Sequence, residues 1–263
     1  MDTTLTVSAD DFQKTIRDHI SLGYRLLMIR PADSPSEALL QCDGEKIRLK
    51  SSTKASQTAN DDWTVGRAGM MYRDLIPDRL GGKLIASHIR ILNGRTVPDS
   101  IHYHKIDFQV IYCLKGAVKV VYEDQGQPFW LQPGDCVLQP PEIRHRVLQA
   151  EAGSEVIEIT SPAEHETWFD HELELPTMRQ SPDRFFGNQQ FAIHCNGDAI
   201  WSELEDGLEA AVTNIGSAGP NAPQVTALRA EQLTNNLVNV TNHNEVTILI
   251  EGQGLRLAFT TSS

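Results

Sequence analysis

Residues 100–116 read SIHYHKIDFQVIYCLKG: two histidines two apart, His102 and His104, ahead of an apolar run closed by Gly116. Side chains at i and i+2 of a strand share a face, about 6.5–7 Å apart along the chain. Two imidazoles so placed can converge on one metal ion, and a third ligand would have to come from a neighbouring strand. The stretch 131–150, LQPGDCVLQPPEIRHRVLQA, offers one. It holds a turn (Pro133, Gly134, Asp135), a short strand, a Pro-Pro turn and then His145 at the head of a further strand. In an antiparallel barrel that return can place His145 opposite the first pair.

The texture around these stretches is all-β. GKLIASHIRIL, FQVIYCLKG, AVKVVYED, HRVLQA and EVIEIT are short runs punctuated by Gly, Pro, Asp and Asn, a pattern of sandwiches and barrels. Upstream, SADDFQKTIRDHISLGY predicts a helix capped by Ser8 or Asp10, with Phe12, Ile16 and Ile20 on one stripe and Gly23 at its end. Asp43-Gly44 between two apolar runs predicts a hairpin. The polar stretch 50–62 reads as a linker. The expected organisation is therefore 1–62 (helix, hairpin, linker), 63–175 (barrel) and 176–263 (a further β unit).

Bulk properties narrow the function classes. A net charge of −12 argues against nucleic acid or an anionic membrane as partner, because the field of the whole chain repels both. A small anionic substrate stays compatible, since a bound metal reverses the sign locally. The N-terminus shows no basic stretch followed by an apolar one, and no apolar run approaches the ~18–20 residues of a membrane span. The expected location is the cytoplasm. Cys42, Cys113, Cys136 and Cys195 are scattered without a pairing motif and read as reduced thiols.

The ordered pattern from 94 to 150 resembles the cupin superfamily. Gly94 opens the first motif, His102 and His104 form its HxH, Gln109 takes the usual Glu place and Gly116 closes it. Pro133-Gly134 opens the second motif and His145 takes its histidine place. The likeness extends over about 68–172, from MYRDLIPDRLGG to HETWF. There are two departures: Gln109 replaces Glu, and Glu142 stands where the second motif has Gly. The resemblance implies a double-stranded β-helix, or jelly roll, preceded by the short N-terminal helix and hairpin read above and followed by a partial second β unit. It also implies one divalent metal ion on His102, His104 and His145, with Gln109 as a fourth ligand or a neighbouring donor. Iron is favoured, with zinc, nickel or manganese as alternatives. Three neutral imidazoles and a neutral amide leave the metal charge uncompensated, which favours an anionic ligand.

By analogy with the family the expected activity is a dioxygenase-type oxidation of a small anionic or enolisable substrate. A cupin isomerase or lyase, or a non-catalytic binding or sensing module, is the alternative. A homodimer is expected. Strand parity groups Ala86, His88 and Arg90 on one face, so His88 and Arg90, with Tyr112, are candidate substrate contacts. His165 and His171, among acidic residues, read as part of a solvated face. The segment HNEVTILIEGQGLRLAF echoes the first motif, with Glu245 and Gly252 at the places of Gln109 and Gly116. The same spacing puts Val238 and Val240 at its HxH places, so this partial unit carries no metal site. Its open edge would need the hairpin at 24–50, or a second subunit, to cover it.

Overall fold

The computed structural model describes residues 2–52, 63–76, 78–205, 208–230 and 237–241. Strand β1 (Asp2–Val7) leads into helix α1 (Ala9–Ser21), followed by β2 (Arg25–Arg30), β3 (Glu37–Cys42) and β4 (Glu45–Ser51). The central region holds β5 (Thr64–Val65), β6 (Met71–Asp74), β7 (Ile85–Ile91), β8 (Arg95–Thr96), β9 (His102–Lys105) and β10 (Phe108–Lys115). It continues through β11 (Val118–Tyr122), β12 (Phe129–Leu131), β13 (Cys136–Gln139), β14 (His145–Ala150), β15 (Ser154–Ser161) and β16 (Glu166–Phe169). Short strands β17 (Phe185–Phe186), β18 (Gln189–Gln190) and β19 (Ala192–His194) come next. The last described strands are β20 (Ser202–Glu205), β21 (Leu208–Val212), β22 (Gln224–Ala230) and β23 (Leu237–Thr241).

Two sheets make the jelly roll. One runs β1-β4-β3-β2-β16-β9-β14-β11-β12, the other β19-β13-β10-β15-β7-β6-β5. Their inner faces meet around a cavity walled by Ile89, Ile111 and Val156 from the second sheet and His104, Val120 and His145 from the first. The outer face of the second sheet carries Phe108, Val110, Tyr112, Ile157 and Ile159, covered by Ile215, Ala218 and Val225 of the C-terminal region. Two-sided burial explains why β10 reads as a continuous apolar run rather than a clean alternation.

Helix α1 starts as its sequence demands: the Ser8 hydroxyl accepts from the Asp11 N–H at 3.2 Å. Phe12 and Ile16 are buried, but Ile20 is exposed, because only the first two turns lie over the hairpin core of Ile29, Ala38, Leu40 and Leu49. Asp43 and Gly44 both take positive φ, the geometry that suits a two-residue hairpin turn.

Among the described residues the hairpin does not pair with the C-terminal strands. Its β2 edge instead pairs with β16 (Ile29 with Thr167, Met28 with Trp168), and β1 covers the far edge through β4. Strands β20 to β23 form their own antiparallel sheet. Most of the linker (53–62), together with Glu245 and Gly252, lies outside the described residues. Among the described residues no helix is long and apolar enough to cross a membrane.

Candidate metal centre

Strand β9 sits between β14 and β16, and this placement assembles the histidines. His102 is paired with His145 across β9–β14, and His104 with Thr167 across β9–β16. All three imidazoles point into the barrel and are buried. One ring nitrogen from each lies within 4.8 Å of the others, a grouping that can hold a metal ion.

The hydrogen bonds at their backs decide which nitrogen faces inward. His102 Nδ1 donates to the Ser100 carbonyl at 2.7 Å, and His145 Nδ1 donates to the Ile143 carbonyl at 2.9 Å. A carbonyl only accepts, so Nδ1 carries the proton in both rings and Nε2 is left with a free lone pair. His104 Nδ1 is 2.9 Å from the Thr167 hydroxyl. The Nε2 of His102 is buried without a partner. An orphaned acceptor of this kind fits a metal ligand better than a core histidine, because burying it unpaired is costly.

Electrostatics keep the cluster neutral. Burial holds His102 and His104 well below the usual histidine range, assisted by the Arg67 guanidinium at His102 and by the other imidazoles at His104. Burial brings His145 down to about 4. Asp99 lies behind the cluster, its Oδ1 3.7 Å from His102 Nδ1. Its carboxyl is held below the usual range: Arg67 and His102 outweigh the effect of burial.

Gln109 is fully buried on β10, and both polar atoms of its amide lack a hydrogen bond of full geometry. It faces inward by parity with Ile111 and is flanked across the sheet by Gln139 and Thr160. Gln139 donates to the Tyr122 hydroxyl at 2.8 Å, and the Tyr122 ring stacks on His145 with centroids 5.6 Å apart. The Gln109 amide also acts on the Glu158 carboxyl, so the two polar groups of this wall lie side by side.

The structure does not bring His88, Arg90 or Tyr112 to this cavity. The Ile85, Ile89 and Ile91 face of β7 looks inward, because the barrel wall away from the histidines is aliphatic. His88 lies on the opposite face, with Nε2 donating to Glu155 at 2.6 Å and Nδ1 accepting from Arg73 at 3.1 Å. Arg90 reaches the same Glu155 and covers the Trp63 ring. Tyr112 packs in the outer core under the C-terminal region.

Four residues of the site escaped the sequence reading. Arg67 and Glu158 line the cavity, Asp99 backs His102, and Thr167 holds His104. Only Asp99 lies within the motif stretch 94–150, and it occupies no motif position. His165 also differs from expectation. It is buried, its ring centroid is 5.3 Å from that of His104, and its Nδ1 donates to the Pro162 carbonyl at 3.0 Å.

Residues 88–160 match the cupin domain family model. No curated protein matches the sequence. Among solved structures, KdgF from Halomonas sp. is 25% identical over 38% of this chain and 86% of its own, with a TM-score of 0.32. An RmlC-like cupin from Shewanella frigidimarina is 21% identical over 43% of this chain and 93% of its own, with a TM-score of 0.33. Oxalate decarboxylase from Bacillus subtilis is 13% identical over 62% of this chain, with a TM-score of 0.43. This chain spans 53% of the length of that enzyme.

Proposed function

Because the chain is a cupin-superfamily protein, we propose that its barrel is a mononuclear metal centre that transforms a small anionic or enolisable organic substrate. The observation that carries this reading is the set of three converging buried imidazoles, each hydrogen-bonded through Nδ1, with the Nε2 of His102 buried and unpartnered. His102, His104 and His145 would hold the ion, with Gln109 beside them. When bound, the metal supplies Lewis acidity and, if it is iron, redox chemistry with O₂. The residues of the chain orient the imidazoles, exclude water with aliphatic walls and leave one anion to balance the charge.

Dioxygenase-type oxidation is the first chemistry to test under this reading, with iron as the metal and a cytoplasmic homodimer as the working unit. A second reading, isomerase or lyase chemistry, is favoured by Glu158. Burial pushes its carboxyl up to about 7 against the pull of Arg67, so it can give or take a proton near neutral pH.

Elemental mass spectrometry on protein purified without chelators or metal-affinity tags tests the proposal. Close to one equivalent per chain is expected, lost in the His102→Ala/His104→Ala variant. Iron together with O₂ uptake on β-diketones or enolisable acids supports oxidation. Zinc, nickel or manganese with substrate–solvent deuterium exchange that Glu158→Gln abolishes supports the second reading. No metal as purified and none after reconstitution would sink both.

A further inference from the structure

Arg67 lies upstream of the segment that matches the cupin domain, yet it lines the same cavity as His104 and His145. It sits on a single 3-10 turn (Arg67–Gly69) ahead of β6. Its Nη1 donates to Asp99 Oδ1. The other oxygen of that carboxylate, Oδ2, already accepts from the Val147 N–H at 2.9 Å. The ion pair is therefore one-armed, and Asp99 fixes the guanidinium without occupying its fork. The Arg67 side chain stays 14% exposed while that of Asp99 is 1% exposed, so the cation is the open member of the pair. Its charge is felt at His102, His104, His145 and Glu158, which places it electrostatically among them. The rest of the wall is largely aliphatic: Met70, Ile89, Ile91, Val118, Val120 and Leu131.

We propose that Arg67 binds the carboxylate of the substrate, and that this substrate is a small carboxylate with a second oxygen donor next to the carboxylate, turned toward the imidazoles. The proposal rests on the metal-centre reading above for the second contact only. A planar guanidinium matches a carboxylate with two parallel hydrogen bonds, and a water-poor wall strengthens that match. A cavity of about 50 Å³ limits the ligand to a few heavy atoms. Arg146, Gln139 and Tyr122 also line the cavity, so polar groups other than Arg67 border the ligand as well. Asp99 is a positioning residue: it sets the fork and touches no substrate.

Calorimetric titration of the metal-loaded protein with glycolate and pyruvate, and with their uncharged counterparts glycolamide and pyruvamide, tests this. At least one acid should bind, and its amide should bind about tenfold more weakly or not at all. In Arg67→Gln/Asp99→Asn, which removes both charges together, acid binding per metal-loaded chain should fall by at least about tenfold. Arg67→Lys keeps the charge and loses the fork, and should recover only part of the affinity. Amides binding as tightly as acids, acids binding the double variant as tightly as the natural protein, or no acid binding at all would each overturn the proposal. If the natural protein holds no metal, the same titrations still read Arg67. Carboxylate binding that depends on it would then stand while the metal reading fell.

Discussion

Two of the three imidazoles are anchored on backbone carbonyls two residues upstream; His104 alone leans on a side chain, Thr167. Thr167→Val keeps the shape and removes the partner. The buried Nδ1 of His104 then lacks a hydrogen bond, at a cost of about 1–3 kcal/mol, and metal affinity should drop by about 10–100-fold. Competition with a chelator of known affinity measures the drop; equal affinity in the variant would refute the anchor. Acid should act on all three rings in one direction. The folded cluster binds protons well below the ~6.5 of a free histidine, while the unfolded chain takes them up near that value. The contribution of these rings to metal-free stability is thus fully present above about pH 6.5 and is lost as pH falls toward their folded values. Denaturant midpoints of the metal-free protein across pH 5–8 would show it as a fall on the acid side, smaller in His145→Gln. At this scale the three histidines were legible because their spacing along strands is chemistry by itself. Thr167 and Arg67 were not, since only sheet closure brings them near.

The strands and turns explain the motif glycines physically. Gly116 has φ +67°, and a Cβ there would stand 2.5 Å from Ser154 Oγ. That hydroxyl accepts from the Ala117 N–H and ties the turn to β15. Gly116→Ala should therefore lower stability by about 2–3 kcal/mol, from left-handed strain plus a displaced hydroxyl. Glu142 is the contrasting case. It stands at a glycine place of the second motif and still adopts φ +62°, with its N–H donating to the His104 carbonyl at 3.0 Å. Glu142→Gly relieves strain but adds unfolded-state entropy, so its effect should stay within about 1 kcal/mol. Urea titration separates the two variants; an equal loss in both would contradict the account. The element boundaries were readable from turns and alternation. Which face of β7 looks inward was not, because alternation marks two faces without saying which one the barrel encloses.

Across the whole molecule, the N-terminal hairpin is an extension of the sheet that carries the three histidines. It covers the edge of β16, whose Thr167 supports His104, and its core includes Phe169, the cross-strand neighbour of His102. A chain shortened to residues 63–263 would expose that edge and the apolar surface beside it. Light scattering should find it self-associating, and its metal content should be reduced. A monodisperse species with full metal content would show that the hairpin is dispensable. The sequence announced the helix and the hairpin, but their destination depends on an edge pairing that leaves no local mark.

The pairing of His102 with His145 also has a kinetic side. These strands meet only after the roughly forty intervening residues have folded back on themselves, a non-local closure of the kind that slows β-rich chains. If the cage closes after the folding barrier is crossed, metal has little to grip during the ascent and much to hold once the barrel is shut. Added metal should then leave the refolding rate nearly unchanged and retard unfolding, acting as a clasp on the finished barrel.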